Sequence, residues 1–299
     1  MEQSWLTRLE DDDIVLLDGG TASELRRRGV ALDRDAWSAP AAQTHRELLE
    51  RVHRDYIEAG ADVITTNTFA TSRFVLEAAG LGDELMAINR AAVDATMAAR
   101  DAAPRRVAVA GSISCLPPRF DPRAYPPRAA ERAAYQELAG LLADRGVDLI
   151  ALEMIEDAEH GTLAMAAALE TGLPVWLGIS VRCQGEGVVA YDDPDHRLEI
   201  WLGPLLAMQP TVVNVMHTRP SDVGQTLAAI RRDWNGPIGV YPELETPDGG
   251  VEVDGGGLVD SACGWVAQGA RLLGGCCGAG PEHVAALAAA RSRLLAARL

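Results

Sequence analysis

Two adjacent thiols near the end of the chain, Cys276 and Cys277, stand in the run Leu272-Leu273-Gly274-Gly275-Cys276-Cys277-Gly278, followed by Pro281 and His283. The apolar residues Ala270 to Leu273 predict a short buried strand, and the two glycines allow a sharp turn and close backbone approach. Neighbouring cysteines make poor disulfide partners, because Cα atoms about 3.8 Å apart fall short of the roughly 4.4–6.8 Å that a relaxed bridge spans. A soft metal suits them better: zinc takes thiolates at about 2.3 Å and keeps them deprotonated. The plain alternative is two small buried residues, the usual fate of an isolated cysteine. A glycine-flanked pair at a strand end favours the metal.

Seven further apolar runs follow the same plan, and five of them carry polar residues of the kind a site needs at their carboxyl ends. Ile14 to Leu17 runs into Asp18-Gly19-Gly20-Thr21, Asp62 to Thr65 into Thr66-Asn67, and Val107 to Gly111 forms a third run. Asp148 to Leu152 ends in Glu153, Pro174 to Ile179 forms a fifth run, Thr211 to Val215 contains Asn214, and Pro237 to Val240 ends in Tyr241. Amphipathic stretches at about 41–59, 83–100, 129–145 and 158–170 separate the first five runs, and a last helix is expected at about 281–297. Eight short strands alternating with helices predict a parallel sheet buried on both faces, and the count of eight predicts closure into a (β/α)8 TIM barrel. An open doubly wound sheet is disfavoured, since no Gly-x-Gly-x-x-Gly follows the first strand. With no linker in view, residues 1–299 are expected to form one barrel domain. The Gly/Pro-rich pieces at 116–127, 184–194 and 247–257 are expected as loops on its active-site face. There Asp18, Thr66, Asn67, Glu153, Asn214, Tyr241, Cys276 and Cys277 would become neighbours.

A net charge of −16, from 43 acidic and 27 basic residues, argues against nucleic acid or an anionic membrane as partner. Five cysteines, an odd number, do not read as a disulfide framework. With no basic-then-apolar leader and no run long enough to span a bilayer, a reducing cytoplasm is expected.

On these residues the chain resembles the homocysteine S-methyltransferases, including betaine- and S-methylmethionine-dependent enzymes and the homocysteine-binding barrel of cobalamin-dependent methionine synthase. The resemblance runs through Leu17-Asp18-Gly19-Gly20, Glu58 to Asp62 leading into Thr65-Thr66-Asn67-Thr68-Phe69, Ala110 to Ile113, Leu152-Glu153, and the Gly-Gly-Cys-Cys turn with Pro281 and His283. It implies a barrel that binds zinc through three cysteines, coordinates homocysteine as its thiolate, and methylates it to methionine. By similarity Glu153 would receive the substrate's amino group, against the alternative of a solvated strand-end carboxylate, and Gly19 and Gly20 would let the substrate lie close to the first strand. The chemistry is sound on its own terms, since a free thiol is mostly protonated at neutral pH and a metal holds it as an aimed thiolate.

The departures matter equally. The family's first zinc ligand lies in an Asn-Cys pair at the end of the sixth strand, and here that pair is Asn214-Val215. His217, two residues on, would lie on the same side of a continuing strand, giving a Cys2His set of Cys276, Cys277 and His217. The alternative is a loop histidine without metal. A neutral imidazole in place of a thiolate makes the site less negative by one charge, strengthening the Lewis acid while reducing the bound sulfur's nucleophilicity. Ser114-Cys115-Leu116-Pro117 replaces part of a family Gly-Pro-Tyr-Gly stretch, which alters one wall and puts Cys115 within possible reach of the metal. Glu243 stands where the family carries Asn in Tyr-Pro-Asn, a change that bears on donor or acceptor choice. Cys183 and Cys263 are expected to be structural, Trp176 to pack or to face an onium methyl group, and His45, His53, His160 and His196 to lie at the surface.

The donor is left among S-methylmethionine, S-adenosylmethionine and betaine-like compounds, since cobalamin would ordinarily need further domains. Another thiol or a selenol as acceptor, and a metal-free barrel with a binding role, remain the alternatives.

Overall fold

The computed structural model describes residues 4–246 and 249–298. Eight parallel strands close a barrel: β1 (Val15–Leu16), β2 (Val63–Thr65), β3 (Ala108–Ser114), β4 (Leu149–Ile155), β5 (Val175–Gln184), β7 (Val212–Met216), β8 (Ile238–Tyr241) and β9 (Ala270–Leu273). β6 (Gly187–Ala190) pairs antiparallel with the end of β5. The order β1-β9-β8-β7-β5-β4-β3-β2 is completed by a parallel bridge between Leu17 and Val63 and by the Asp18 amide, which donates to the Val63 carbonyl at 3.1 Å. The chain is therefore the (β/α)8 barrel that its apolar runs predict.

Both faces of each strand are buried, which is why the strands read as unbroken apolar runs. Outward residues such as Val213 and Val215 pack under the helices, while inward ones such as Val63, Ala151 and Val212 fill the barrel. Trp176 lies fully buried in this interior, edge-on to Trp5 at 5.3 Å. Trp5 opens the short helix Trp5–Glu10, whose start is capped by the Ser4 hydroxyl accepting from the Thr7 amide at 3.1 Å. Trp176 packs there and is not among the residues lining the main cavity.

Several elements depart from the sequence expectation. The 184–194 loop begins as a β-hairpin, because β5 continues past the barrel to Gln184 and turns at Gly185 into β6. The expected helix over 41–59 is broken at His45, whose φ of −136° separates Ala41–Thr44 from Arg46–Ala59. The last helix is likewise two, Pro281–Ala289 and Arg291–Ala296. Within the expected 247–257 loop, residues 247 and 248 lie outside the described residues, and Asp254 already caps the helix Gly255–Ala267. The expected loop over 116–127 holds two short 3-10 turns.

Two histidines expected at the surface are not there. His53 is fully buried, its Nε2 3.1 Å from the Thr96 hydroxyl, and burial pushes it down to about 4. His160 is half-buried, with Nδ1 2.8 Å from a carboxylate oxygen of buried Glu131 and its ring stacked on Tyr125. Helical periodicity places such residues on an inner face that their polarity disguises.

The floor of the barrel is tied by aspartates that precede strands. Asp62 accepts from the Leu16 amide at 2.8 Å and pairs with Arg8 at 2.7 Å and Arg291 at 2.9 Å. Asp148 does the same for the Val109 amide at 2.7 Å. Replacing Asp62 by Ala leaves the Leu16 amide without its acceptor and takes one partner from each guanidinium, while Arg8 keeps Asp13 and both arginines keep the Ile14 carbonyl, so Asp62→Ala should cost about 1–3 kcal/mol. Urea unfolding measures it, with an unchanged midpoint as the contrary result.

Candidate functional site

All eight barrel strands point the same way, so their carboxyl ends share one mouth. The turn after β9 is threaded between the ends of β1 and β8 by main-chain hydrogen bonds. Gly275 donates to the Asp18 carbonyl at 3.2 Å, Cys276 to Pro242 at 2.9 Å, and Leu244 to Cys277 at 2.8 Å. Two glycines are required by this threading. A Cβ on Gly19 would stand 2.3 Å from the Ala279 carbonyl oxygen, and Gly278 has φ of 79° with its Cβ position 2.7 Å from the Glu245 amide. His283 caps the following helix through Gly280 and bonds to the Val253 carbonyl, so it serves the turn and not the cavity.

The two sulfurs stand 3.9 Å apart, and the His217 Nδ1 lies 3.9 Å from Cys276 Sγ. One ligand atom from each of the three residues falls within 4.8 Å of the other two, a set that could hold a metal ion. His217 reaches it for a different reason from strand alternation. The strand ends at Met216, Val215 points outward into the layer under the helices, and a left-handed backbone at His217, φ 45°, turns its ring into the mouth. The hydrogen bond from Cys276, assisted by His217, holds the Cys277 thiol below its ordinary range despite burial. Cys276 is correspondingly raised by that bond and by burial. Burial works against a charged His217, but Cys277, Glu243 and Glu156 outweigh it and the net shift is upward.

These residues line a cavity of about 290 Å³ that also contains Asp18, Gly19, Gly20, Thr66, Asn67, Glu153 and Tyr241. Glu153 is buried, accepts from the Ser112 hydroxyl, and is pushed up to about 7 by burial in spite of bonds from Ser112 and Tyr241. Asp18 is deeper still. It accepts from the Thr65 amide at 2.7 Å and from the Thr65 hydroxyl at 3.1 Å, yet burial, reinforced by Glu153, raises it to about 8. Thr66 and Asn67 have local duties as well: the Thr66 hydroxyl accepts from the Ser112 amide at 3.1 Å, and the Asn67 amide donates to the Ser38 carbonyl at 2.9 Å. The Ser38 hydroxyl donates back to Asn67 at 2.6 Å, which fixes the segment carrying Trp37.

Trp37 stacks on Phe69 at 5.4 Å and meets Phe120 at 5.5 Å, and these three rings form one wall of the cavity. Four of the cavity residues, Trp37, Phe120, Met154 and His217, are non-glycine residues with positive φ. Such strain gathers where surrounding structure over-determines the chain. At Met154 it accompanies the irregularity between Leu152 and Ile155 in the pairing of β4 with β5.

Not every expected residue joins the site. Asn214 points into the barrel two residues below Met216, is fully buried without a hydrogen-bond partner, and does not line the cavity. Its side chain fills the space left by Gly239, where a Cβ would lie 2.0 Å from its Oδ1. Cys115 faces outward among buried apolar side chains, lines neither the cavity nor the thiol pair, and burial pushes its thiol far up. Cys183 bonds to the Asp222 carbonyl at 3.5 Å, and Cys263 packs against the apolar core. Site residues that the sequence does not single out include Thr65, Ser112, Met216, Trp37, Phe69 and Tyr191, of which Thr65, Ser112 and Phe69 stand only within the stretches that carry the family resemblance. Thr65 and Ser112 carry a legible signal, as polar residues inside otherwise apolar strands. The aromatic wall carries none, because it is assembled from three separate loops.

With this geometry in view, the comparisons are decisive for the family. Its sequence profile, homocysteine S-methyltransferase, matches residues 15–291. The chain is 27% identical to homocysteine S-methyltransferase 2 of Arabidopsis thaliana, over 91% of each protein. It is 26% identical to a selenocysteine Se-methyltransferase of Brassica oleracea var. italica, over 93% of this chain and 89% of that one. The metallated crystal structure of the Escherichia coli homocysteine methyltransferase MmuM superposes with a TM-score of 0.78 at 25% identity, covering 95% of this chain and 98% of the other. A barrel of this fold whose strand ends bring two thiols, an imidazole and a buried glutamate to one mouth belongs to the homocysteine S-methyltransferase family, and the chain is a methyltransferase enzyme of that kind.

Proposed function

We propose that the enzyme transfers a methyl group from a small onium donor, such as S-methylmethionine, S-adenosylmethionine or a betaine-like ammonium compound, to the thiol of homocysteine, with zinc held by Cys276, Cys277 and His217. The observation that carries this reading is the convergence of two thiols and an imidazole on the cavity that also holds Glu153. The donor set fits the ion. Sulfurs sharing a tetrahedral zinc at about 2.3 Å stand about 3.8 Å apart, and here they are 3.9 Å apart before any ion is considered. When bound, zinc supplies a Lewis acid that keeps the acceptor sulfur a thiolate at neutral pH.

The chain's own side chains supply the rest. Glu153 receives the acceptor's ammonium group, and that cation draws its raised carboxyl to the charged form. The bare backbone at Gly19 and Gly20 leaves room for the acceptor beside β1, and Asp18, held by Thr65, adds a second carboxyl to the same wall. Trp37, Phe69 and Phe120 offer π faces to an onium centre. The acceptor thiolate's electron pair forms the new bond to the methyl carbon. The donor's bond to that carbon breaks, and its pair stays on the sulfonium or ammonium centre, which leaves neutral. No proton moves in this step, so the residues serve position, charge and exclusion of water. The free state of the cysteines fits a reducing, cytoplasmic setting.

The direct test is a methyl-transfer assay of zinc-loaded protein with homocysteine against a panel of the named donors, in which methionine should form with at least one. No turnover with any donor despite bound zinc would overturn homocysteine as acceptor. Glu153→Gln should lower kcat/KM for homocysteine about 10–150-fold, the worth of a charged hydrogen bond, with zinc content unchanged. An unaltered kcat/KM would remove Glu153 from substrate binding.

Stability should also vary with pH. The folded chain holds protons on Glu153 and Asp18, at about 7 and about 8, that the unfolded chain releases near the ordinary carboxyl range. Their contribution to stability is thus full below that range and is lost as pH rises through the folded values. Between about pH 5 and about pH 9, thermal unfolding of the metal-free parent should weaken more than that of Asp18→Asn. Parallel profiles would contradict the assignment.

A further inference from the structure

Behind His217 stands a second group that the methyl-transfer chemistry does not use. With Nδ1 turned toward Cys276, the other ring nitrogen, Nε2, lies 3.8 Å from Glu243 Oε1. The second oxygen of that carboxylate accepts from the Tyr191 hydroxyl at 2.8 Å. Tyr191 follows β6 at the end of the hairpin, and its ring flanks the imidazole at 4.8 Å. The side chains of His217 and Glu243 are only 16% and 19% exposed, so water competes weakly for either. Their main chains are also strapped, since the His217 amide donates to Tyr241 at 3.3 Å and the Glu243 amide to Thr218 at 3.2 Å.

We infer that Glu243, clamped by Tyr191, is the positioning residue that orients His217 as a metal ligand. The inference rests on the reading of His217 as a ligand given above. An imidazole that offers Nδ1 to a cation must carry its proton on Nε2, and a carboxylate facing that Nε2 fixes the tautomer, restrains the ring and makes the ligating nitrogen more basic. Glu243 closes from charge contact to a hydrogen bond on Nε2–H when His217 ligates. The restraint is needed because His217 leaves its strand through a left-handed backbone, and the main-chain bond to Tyr241 fixes its amide but not the rotation of its ring. Glu156 is the rival carboxylate near this ring, but one of its oxygens is engaged by the Asp192 amide at 2.9 Å and, unlike Glu243, it makes no ion pair with His217.

The test is zinc affinity of the full-length protein, measured by competition with a chromogenic chelator and so independent of turnover. Glu243→Gln should weaken zinc binding about 10–100-fold, Glu243→Asp should recover part of the loss, and Tyr191→Phe should weaken binding less than Glu243→Gln. Glu156→Gln should leave the affinity unchanged, and unfolding of the metal-free variants should match the parent. Parental affinity in Glu243→Gln, with weak binding in His217→Ala, would overturn the positioning role and leave His217 as ligand. A loss in Glu156→Gln in place of Glu243→Gln would overturn it too. Parental affinity in His217→Ala would remove His217 from the ligand set and the inference with it.

Discussion

The constraint on which the structure depends is the seating of the Gly-Gly-Cys-Cys turn between the ends of β1 and β8. Main-chain hydrogen bonds from Gly275, Cys276 and Leu244 place the two thiols, so their position is set by backbone geometry and not by packing of the side chains. This is why glycine is needed on both sides, at Gly19 on β1's extension and at Gly278 in the turn, where any larger residue meets main-chain atoms. Closure of the barrel through Leu17 and Val63 then brings β2, β3 and β4 round to face the same turn, and with them Thr65, Ser112 and Glu153.

The same burial that assembles the site sets its electrostatics. Asp18 and Glu153 are shielded enough to stand at about 8 and about 7, and a cavity that resists two adjacent carboxylates is one that welcomes a cationic group. An acceptor bearing an ammonium group and a donor bearing an onium centre both answer that demand. The left-handed residues around the mouth, Trp37, Phe120, Met154 and His217, are the conformational cost of aiming loop side chains into one small volume.

Much of this was legible in the residues themselves. Parallel strands buried on both faces read as plain apolar runs, so eight of them and their polar ends could be located before the fold was seen. The hairpin of β5 and β6 could not, because no apolar run continues through Arg182 to Gly187 and β6 pairs with β5 alone. Strand alternation places His217 at the mouth only if the strand continues, whereas β7 stops at Met216 and a positive φ delivers the ring. Asn214 reads as a mouth residue because it is polar in an apolar strand; the space beside Gly239 accounts for its size in the barrel interior, and nothing in the structure accounts for its polarity there. His53 reads as a surface residue because its helical context shows no partner pattern, and its burial beside Thr96 follows from helix packing that no local pattern encodes. The aromatic wall and the Tyr191–Glu243–His217 contacts join loops distant in sequence, which no local pattern encodes.

The central claim is that two thiols and one imidazole of this chain share a soft cation and leave its fourth position for the acceptor sulfur. X-ray absorption at the zinc edge of the loaded protein tests it most directly. The account predicts two sulfur ligands at about 2.3 Å with nitrogen at about 2.0–2.1 Å, and a third sulfur when homocysteine is added. A shell with no sulfur, or a sulfur count that homocysteine does not change, would contradict it.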